Sequence, residues 1–455
     1  MTEEVTLKKE LGFAAALSTV VGTVIGAGVF FKASAVYATT GSEGLGLLAW
    51  VLGGVITLCA GLTGAELAAA IPKTGGMLSY IEHTYGTLAS HLLGWAQTII
   101  YYPANIAALA IIFGTQFANL FGLNSHWIMI VGIISAVSLT FFNCLGSKIG
   151  GMVQTVSTIC KLIPLALIVI FGLMQPNPVH VSLLPTAATS GAHGNMLSAL
   201  GSGLLATMFA YDGWINVGNI AGEMKNPKKD LPKAISFGLL GIMIVYVLIN
   251  VAFLMTLSVG HIAGNNNAAS DVAMRLFGPI GGKLVTIGIL ISVYGTINGY
   301  TMTGMRIPYV MAKEDRLPFS HLWKKLSAKS QVPVNASLLI LVIAIIYMLS
   351  GKFDTLTDML IFVIWIFYTM TFLAVFILRK REPNLERPYK VPGYPIVPAV
   401  ALCGGLFIVI NTLFTQTLLA FIGIGVTAVG LLFYKRKPKE TAVMDSEVTE
   451  VENID

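Results

Sequence analysis

Apolar stretches of about 20 residues, long enough to cross the hydrocarbon core of a bilayer as a helix, recur along the chain with short polar connections between them. They fall near residues 10–37, 46–71, 88–121, 126–146, 152–174, 193–221, 232–257, 281–312, 332–350, 355–379, 395–413 and 416–434, about twelve spans in all. The pattern predicts an all-α polytopic membrane protein. Composition agrees, because 55% of the 455 residues are hydrophobic and 11% charged, whereas soluble domains carry about a quarter charged residues. The length would suggest about three soluble domains, but the unbroken recurrence of spans favours one membrane domain. Its expected parts are an N-terminal tail at 1–9, a ten-helix core at 10–379, two more helices at 380–434 and a C-terminal tail at 435–455.

Charge fixes the expected orientation. The net charge of +6 is not arrayed as a stripe for nucleic acid, since the basic residues sit at the ends of spans. With a cytoplasmic N-terminus, all but five of the 28 Lys and Arg fall on inside connections; Lys32, Arg275, Lys283 and Lys352 lie outside and Lys161 lies mid-span. The positive-inside rule therefore predicts a multi-pass plasma-membrane protein with both termini in the cytoplasm. The acidic start Met1-Thr2-Glu3-Glu4 lacks the basic region of a signal peptide, so the first span should be retained. Cys59, Cys144, Cys160 and Cys403 all fall in apolar segments and are expected to be free thiols.

Two spans carry helix-breaking residues at comparable depth. The first reads Val21-Gly22-Thr23-Val24-Ile25-Gly26-Ala27-Gly28-Val29-Phe30, and the sixth reads Thr207-Met208-Phe209-Ala210-Tyr211-Asp212-Gly213-Trp214-Ile215. An unwound turn in the first would free N–H groups at a helix start, which suit a carboxylate; Gly22-x-x-x-Gly26 reads equally well as a helix-packing face. Free carbonyls in the sixth could receive an ammonium group. Asp212, an intramembrane carboxylate, is either a functional residue or a cap for the broken backbone. The two breaks lie five spans apart, and an odd number of spans per repeat inverts the second copy, so spans 1–5 and 6–10 could form an inverted pair. Lys161, alone near the middle of a span, requires partners or must snorkel to an interface. Glu66 and Glu223 stand near the inside ends of spans 2 and 6, where they could pair with Lys73 or Lys225 or merely cap helices, and Tyr294, Thr296 and Asn298 could line a cavity or pack a bundle.

Enzyme signatures are missing from the sequence. The stretch Gly278-Pro279-Ile280-Gly281-Gly282-Lys283-Leu284 has neither Walker A spacing nor its Ser/Thr. His180, His193 and His261 lack metal-ligand spacing, neither G-x-S-x-G nor H-E-x-x-H occurs, and Gly26-x-Gly28 follows no strand. No metal, cofactor or catalytic residue is expected.

The chain resembles the amino acid-polyamine-organocation superfamily, and within it the bacterial members of the L-amino acid transporter group. The resemblance spans nearly the whole chain. It rests on Ile25-Gly26-Ala27-Gly28-Val29-Phe30, Gly64-Ala65-Glu66-Leu67, Ile71-Pro72-Lys73-Thr74-Gly75-Gly76, Phe209-Ala210-Tyr211-Asp212-Gly213-Trp214 and Gly222-Glu223-Met224-Lys225-Asn226-Pro227. It implies a LeuT-like 5+5 inverted repeat in which Gly26, Ala27 and Gly28 bind a substrate carboxylate and carbonyls near Phe209 and Ala210 bind its amine. Phe209 would match the family's gate, and Ala27 stands where a serine is often found, so a hydroxyl is lost there. It further implies that the Lys161 ammonium occupies the place of an ion in sodium-coupled relatives. Together these give a secondary exchanger of small neutral L-amino acids such as serine, threonine and alanine, with Tyr211 and Trp214 shaping the side-chain pocket and no obligatory partner subunit evident. A proton symporter using Asp212 or Glu66, and a non-transporting receptor, remain open at this point.

Overall fold

The computed structural model describes residues 11–73, 75–184, 196–350 and 353–434. The expected tails at 1–9 and 435–455, Thr74, and most of the inner part of the 174–195 loop lie outside these residues, as does the side chain of Glu223. The first half runs α1 (Phe13–Val24), α2 (Gly28–Thr40), α3 (Glu43–Ala70), α4 (Met77–Tyr85), α5 (Thr87–Ala96), α6 (Tyr102–Phe121), α7 (His126–Leu145), α8 (Ser147–Leu173) and α9 (Met196–Ala210). The second half runs α10 (Pro227–Thr256), α11 (Val259–Ile262), α12 (Ala268–Gly304), α13 (Arg306–Lys313), α14 (Ser320–Trp323), α15 (Val334–Ser350), α16 (Phe353–Arg381), α17 (Ile396–Thr415) and α18 (Thr417–Val429). A π-helical turn, Gln97–Tyr101, joins α5 to α6, and a 3-10 stretch, Trp214–Glu223, follows α9. Among the described residues the one β-type pairing is a parallel bridge between Leu11 and Met224.

Nine helical segments of the described residues are long and apolar enough to cross a membrane, and Val334–Leu349 and Thr417–Phe433 are shorter apolar helices. All-helical architecture follows from the solvent: inside lipid each backbone group must find its partner within its own segment. Residues facing outward are themselves apolar, among them Ile134 and Phe141 on α7 and Phe414, Leu418 and Phe421 on α17 and α18, as a lipid environment permits and water does not.

Some boundaries differ from the hydropathy reading. The eighth span starts well before residue 281, because α12 runs from Ala268 with a kink at Gly278; its first turns mix polar and apolar residues and so escape an apolar window. Similarly, α10 starts at Pro227, a residue favoured in a first helical turn, ahead of the apolar stretch. The short α4 is likewise invisible to a search for long spans.

At the centre, α1 and α9 are enclosed by α3, α8, α10, α12 and α16. Small residues set the spacing where lipid gives helices no reason to separate from water: a Cβ on Gly61 of α3 would lie 2.1 Å from Leu239 Cδ1 of α10, and one on Gly64 would lie 2.8 Å from the Trp214 ring. The bundle has two ends. The near face carries the start of α1 and the end of α16, where Lys225 N–H donates to Leu11 O and Arg381 reaches the α4 carbonyls. The far face carries the end of α2 and the start of α16.

Candidate functional site

The first span stops being helical at Ile25, whose ψ of 98° is extended, and restarts at Gly28. A new helix leaves the N–H groups of its first turn without intrahelical acceptors, so the amides around Gly26, Ala27 and Gly28 supply donors in the middle of the bundle. The sixth span stops at Ala210, turns through Tyr211-Asp212-Gly213 and continues as the 3-10 stretch. Gly213 has φ +107°, a conformation that costs an L side chain strain.

These breaks touch. A Cβ added to Gly28 would lie 2.4 Å from Ala210 Cα, so only glycine allows this approach. Thr23 Oγ1 lies 3.1 Å from Gly213 O as well as 2.7 Å from Thr19 O of its own helix, and the Tyr246 hydroxyl of α10 lies 2.9 Å from Val24 O and 3.0 Å from Ala210 O. One hydroxyl carries one proton, so Tyr246 donates to one break at a time while spanning both.

Lys161 of α8 is fully buried beside the first break. Its ammonium donates to Gly22 O at 2.8 Å, to Ile25 O and to Thr296 Oγ1 at 3.2 Å. Thr296 of α12 is itself within 3.3 Å of Gly22 O and 3.2 Å of Ile25 O. Three ammonium protons thus meet three oxygens, which satisfies a cation that would otherwise be costly at this depth. Gly22 faces Gln154 and Thr158 of α8 and Gly26 faces Thr296, so these glycines allow close helix packing as well as marking the break.

Asp212, 2% exposed, accepts hydrogen bonds from Tyr101 at 2.6 Å, Tyr368 at 2.8 Å and Tyr300 at 3.1 Å. These tyrosines come from the π turn, α16 and α12. A π turn re-aims the side chains beyond it and recurs at functional positions; here it carries Tyr101. Asn216 and Asn219 of the 3-10 stretch bond Tyr102 at 2.8 and 2.6 Å, extending the network to α6.

Tyr211 and Trp214 turn into neighbouring helices. The Tyr211 hydroxyl donates to Trp50 O at 3.1 Å and its ring packs with Trp50 and Tyr246, while Trp214 packs on Tyr368 with ring centroids 5.7 Å apart. Phe209 is buried and meets Phe353 edge to face at 5.6 Å.

Glu66 pairs differently from the expectation of Lys73 or Lys225. Its carboxylate receives Arg379 Nε at 2.9 Å and Nη2 at 2.6 Å, Val391 N–H at 2.7 Å, and Arg387 Nε at 3.5 Å. A guanidinium fork matches two carboxylate oxygens where an ammonium cannot. Of the polar residues on the eighth span, Thr296 joins the Lys161 cluster, Asn298 bonds Asn143 and Gln154, and Tyr294 bonds Ser138. Among the described residues no cluster of three or more His, Cys, Asp or Glu is arranged to hold a metal.

The residues that sequence reasoning passed over are Tyr246, Tyr101, Tyr300, Tyr368 and Lys32. Tyrosine is common in membrane helices, and nothing local in the sequence marks these four; Lys32 falls toward the outside end of the first span, where no motif marks it.

Residues 11–435 match the amino acid permease family. The serine/threonine exchanger SteT of Bacillus subtilis (strain 168) is 43% identical over 442 residues, covering 97% of this chain and 99% of SteT. Asc-type amino acid transporter 1 of Mus musculus is 30% identical over 449 residues, 96% of this chain and 84% of that protein. The cystine/glutamate transporter of Homo sapiens is 28% identical over 457 residues, 98% of this chain and 90% of that protein. These relatives are transporters and exchangers rather than enzymes.

Proposed function

This chain belongs to the amino acid permease family of the amino acid-polyamine-organocation superfamily, and from that premise we propose that it exchanges small neutral L-amino acids, serine and threonine foremost and alanine among them, by alternating access. The observation that carries the reading is the contact of two helix breaks at Gly28 and Ala210 inside one bundle. A zwitterion needs donors for its carboxylate and acceptors for its ammonium. The amides of Gly26, Ala27 and Gly28, at and just before the start of α2, supply donors, and carbonyls at Phe209 and Ala210 supply acceptors. Ala210 O already receives Tyr246 and Phe209 O receives Asp212 N–H, but each carbonyl has a second lone pair. Substrate enters by parting the breaks, after which Tyr246 can hold only one of them.

The twelve spans are counted as the nine long helical segments, the two shorter apolar helices and the broken α9 segment, with 10–379 as the transport core and α17 and α18 as accessories. Spans 1–5 and 6–10 form the inverted pair, and the bundle of spans 1, 2, 6 and 7, made of α1 with α2, α3, α9 with its 3-10 stretch, and α10, moves against the rest. The near face is the cytoplasmic one, as the distribution of Lys and Arg supports. Lys161 serves as a fixed cation that holds the first break open without a sodium ion. Asp212 and Glu66 are both engaged by several donors, which supports exchange over proton coupling through either.

Proteoliposome counterflow tests the reading. Labelled serine should accumulate when unlabelled serine is inside and no pH gradient is present. Uptake that requires a pH gradient and ignores internal serine would overturn exchange, and absence of any flux would overturn transport.

A further inference from the structure

We propose that Lys32, held by Asp354 and Thr357, is the positioning residue that latches the far-face route to the helix breaks by pinning Phe209 over them; this rests on the breaks being the substrate site. Lys32 sits on α2 about one turn beyond the first break and is 1% exposed. Its ammonium lies 2.8 Å from Asp354 Oδ1, 2.9 Å from Thr357 Oγ1 and 3.7 Å from Asp358 Oδ1. The same ammonium lies 5.4 Å from the ring centroid of Phe209 and 5.0 Å from that of Phe353, within the range of cation–π attraction. One cation therefore joins α2, α9 and α16. Phe209 precedes Ala210, the residue that touches Gly28.

On the far side of this contact lies a cavity of about 200 Å³ whose lining includes Lys32, Thr39, Ser202, Asp354, Asp358 and Gln416. Asp354 is 60% exposed whereas Lys32 is buried, so the pair has one member in contact with the cavity's surroundings and can exchange partners there. An α-amino acid arriving in the cavity brings a carboxylate for Lys32 and an ammonium for Asp354 and Asp358. That exchange replaces charge-assisted bonds one for one and frees Lys32 from α16. With the ammonium displaced, Phe209 loses the cation that fixes it. The Asp358 carboxylate is meanwhile held by Gln416 at 2.9 Å, which keeps an acceptor in the cavity wall.

The experiment uses Ala27→Cys as a reporter at the first break, next to Gly28, in a background where Cys59, Cys144, Cys160 and Cys403 are replaced by Ala. A membrane-impermeant thiol reagent is applied to intact cells and, separately, to inverted vesicles. Lys32→Gln, and the pair Asp354→Asn with Asp358→Asn, should each raise the labelling rate about tenfold from one side only, as a shift of the closed population predicts. Lys32→Arg should restore slow labelling, which a loss of packing would not explain. Thr357→Val should raise the rate less and in the same direction, so the latch is tested even if Lys32→Gln does not fold. Unchanged labelling in the folded Asp354→Asn/Asp358→Asn variant, or equal rises from both sides, would overturn the latch. Labelling does not require transport, so a failed counterflow assay and a failed latch give separate results.

Discussion

Lys161 meets Gly22 O, Ile25 O and Thr296 Oγ1 with its three protons. Removing the ammonium leaves the two carbonyls at the first break to the single hydroxyl proton of Thr296, so at least one of them loses its donor. Buried groups left so cost about 1–3 kcal/mol each. Lys161→Ala is therefore expected to lower serine exchange at least about tenfold, while the variant still inserts and runs as a single species in size-exclusion chromatography. Uptake at the parent rate would remove Lys161 from the mechanism. Asp212 presents the complementary case, a buried carboxyl group surrounded by three phenols. The sequence marks both residues as needing partners, and the partners themselves lie 88 to 156 positions away.

At the scale of elements, the two broken segments act as one unit. Gly28 is confined by Ala210, and Tyr246 and Thr23 tie the halves together. Gly28→Val would run its side chain into the Ala210 backbone and hold the breaks apart. Millimolar serine should raise the melting temperature of the parent protein and leave that of Gly28→Val unchanged, since a ligand stabilises only the form that binds it. Normal serine affinity would show that the site lies elsewhere. Cysteine at position 27 adds a single sulfur to a residue that already carries a Cβ.

Across the whole molecule, ion pairs close both ends. The far face holds Lys32 with Asp354, and the near face holds Glu66 with Arg379 and Arg387, with Arg379 stacked 3.9 Å from the Tyr394 ring centroid. Arg316 with Glu82 and Glu314 adds a second near-face cluster, whose carboxylates raise the Arg316 pKa against the opposing effect of burial. Glu66→Gln removes one anion shared by two guanidinium groups. Breaking a fully buried pair costs about 3–5 kcal/mol, but Arg379 is 22% exposed and partly screened, so a loss of about 2 kcal/mol is expected. Chemical denaturation in detergent would measure it, and an unchanged midpoint would make this pair incidental to the closed end.

The sequence by itself determined that the chain is helical and membrane-embedded, that two spans break, and which family the motifs belong to. Apolar length and helix-breaking glycines are local properties that act wherever the segment sits. Only the tertiary structure decided that the breaks touch, that Tyr246 spans them, that Glu66 pairs with arginines rather than Lys73 or Lys225, and that Lys32 is buried rather than solvated. Those outcomes join residues 36 to 325 positions apart. A charge or hydroxyl in a span reports its need for a partner, and only helix packing supplies one.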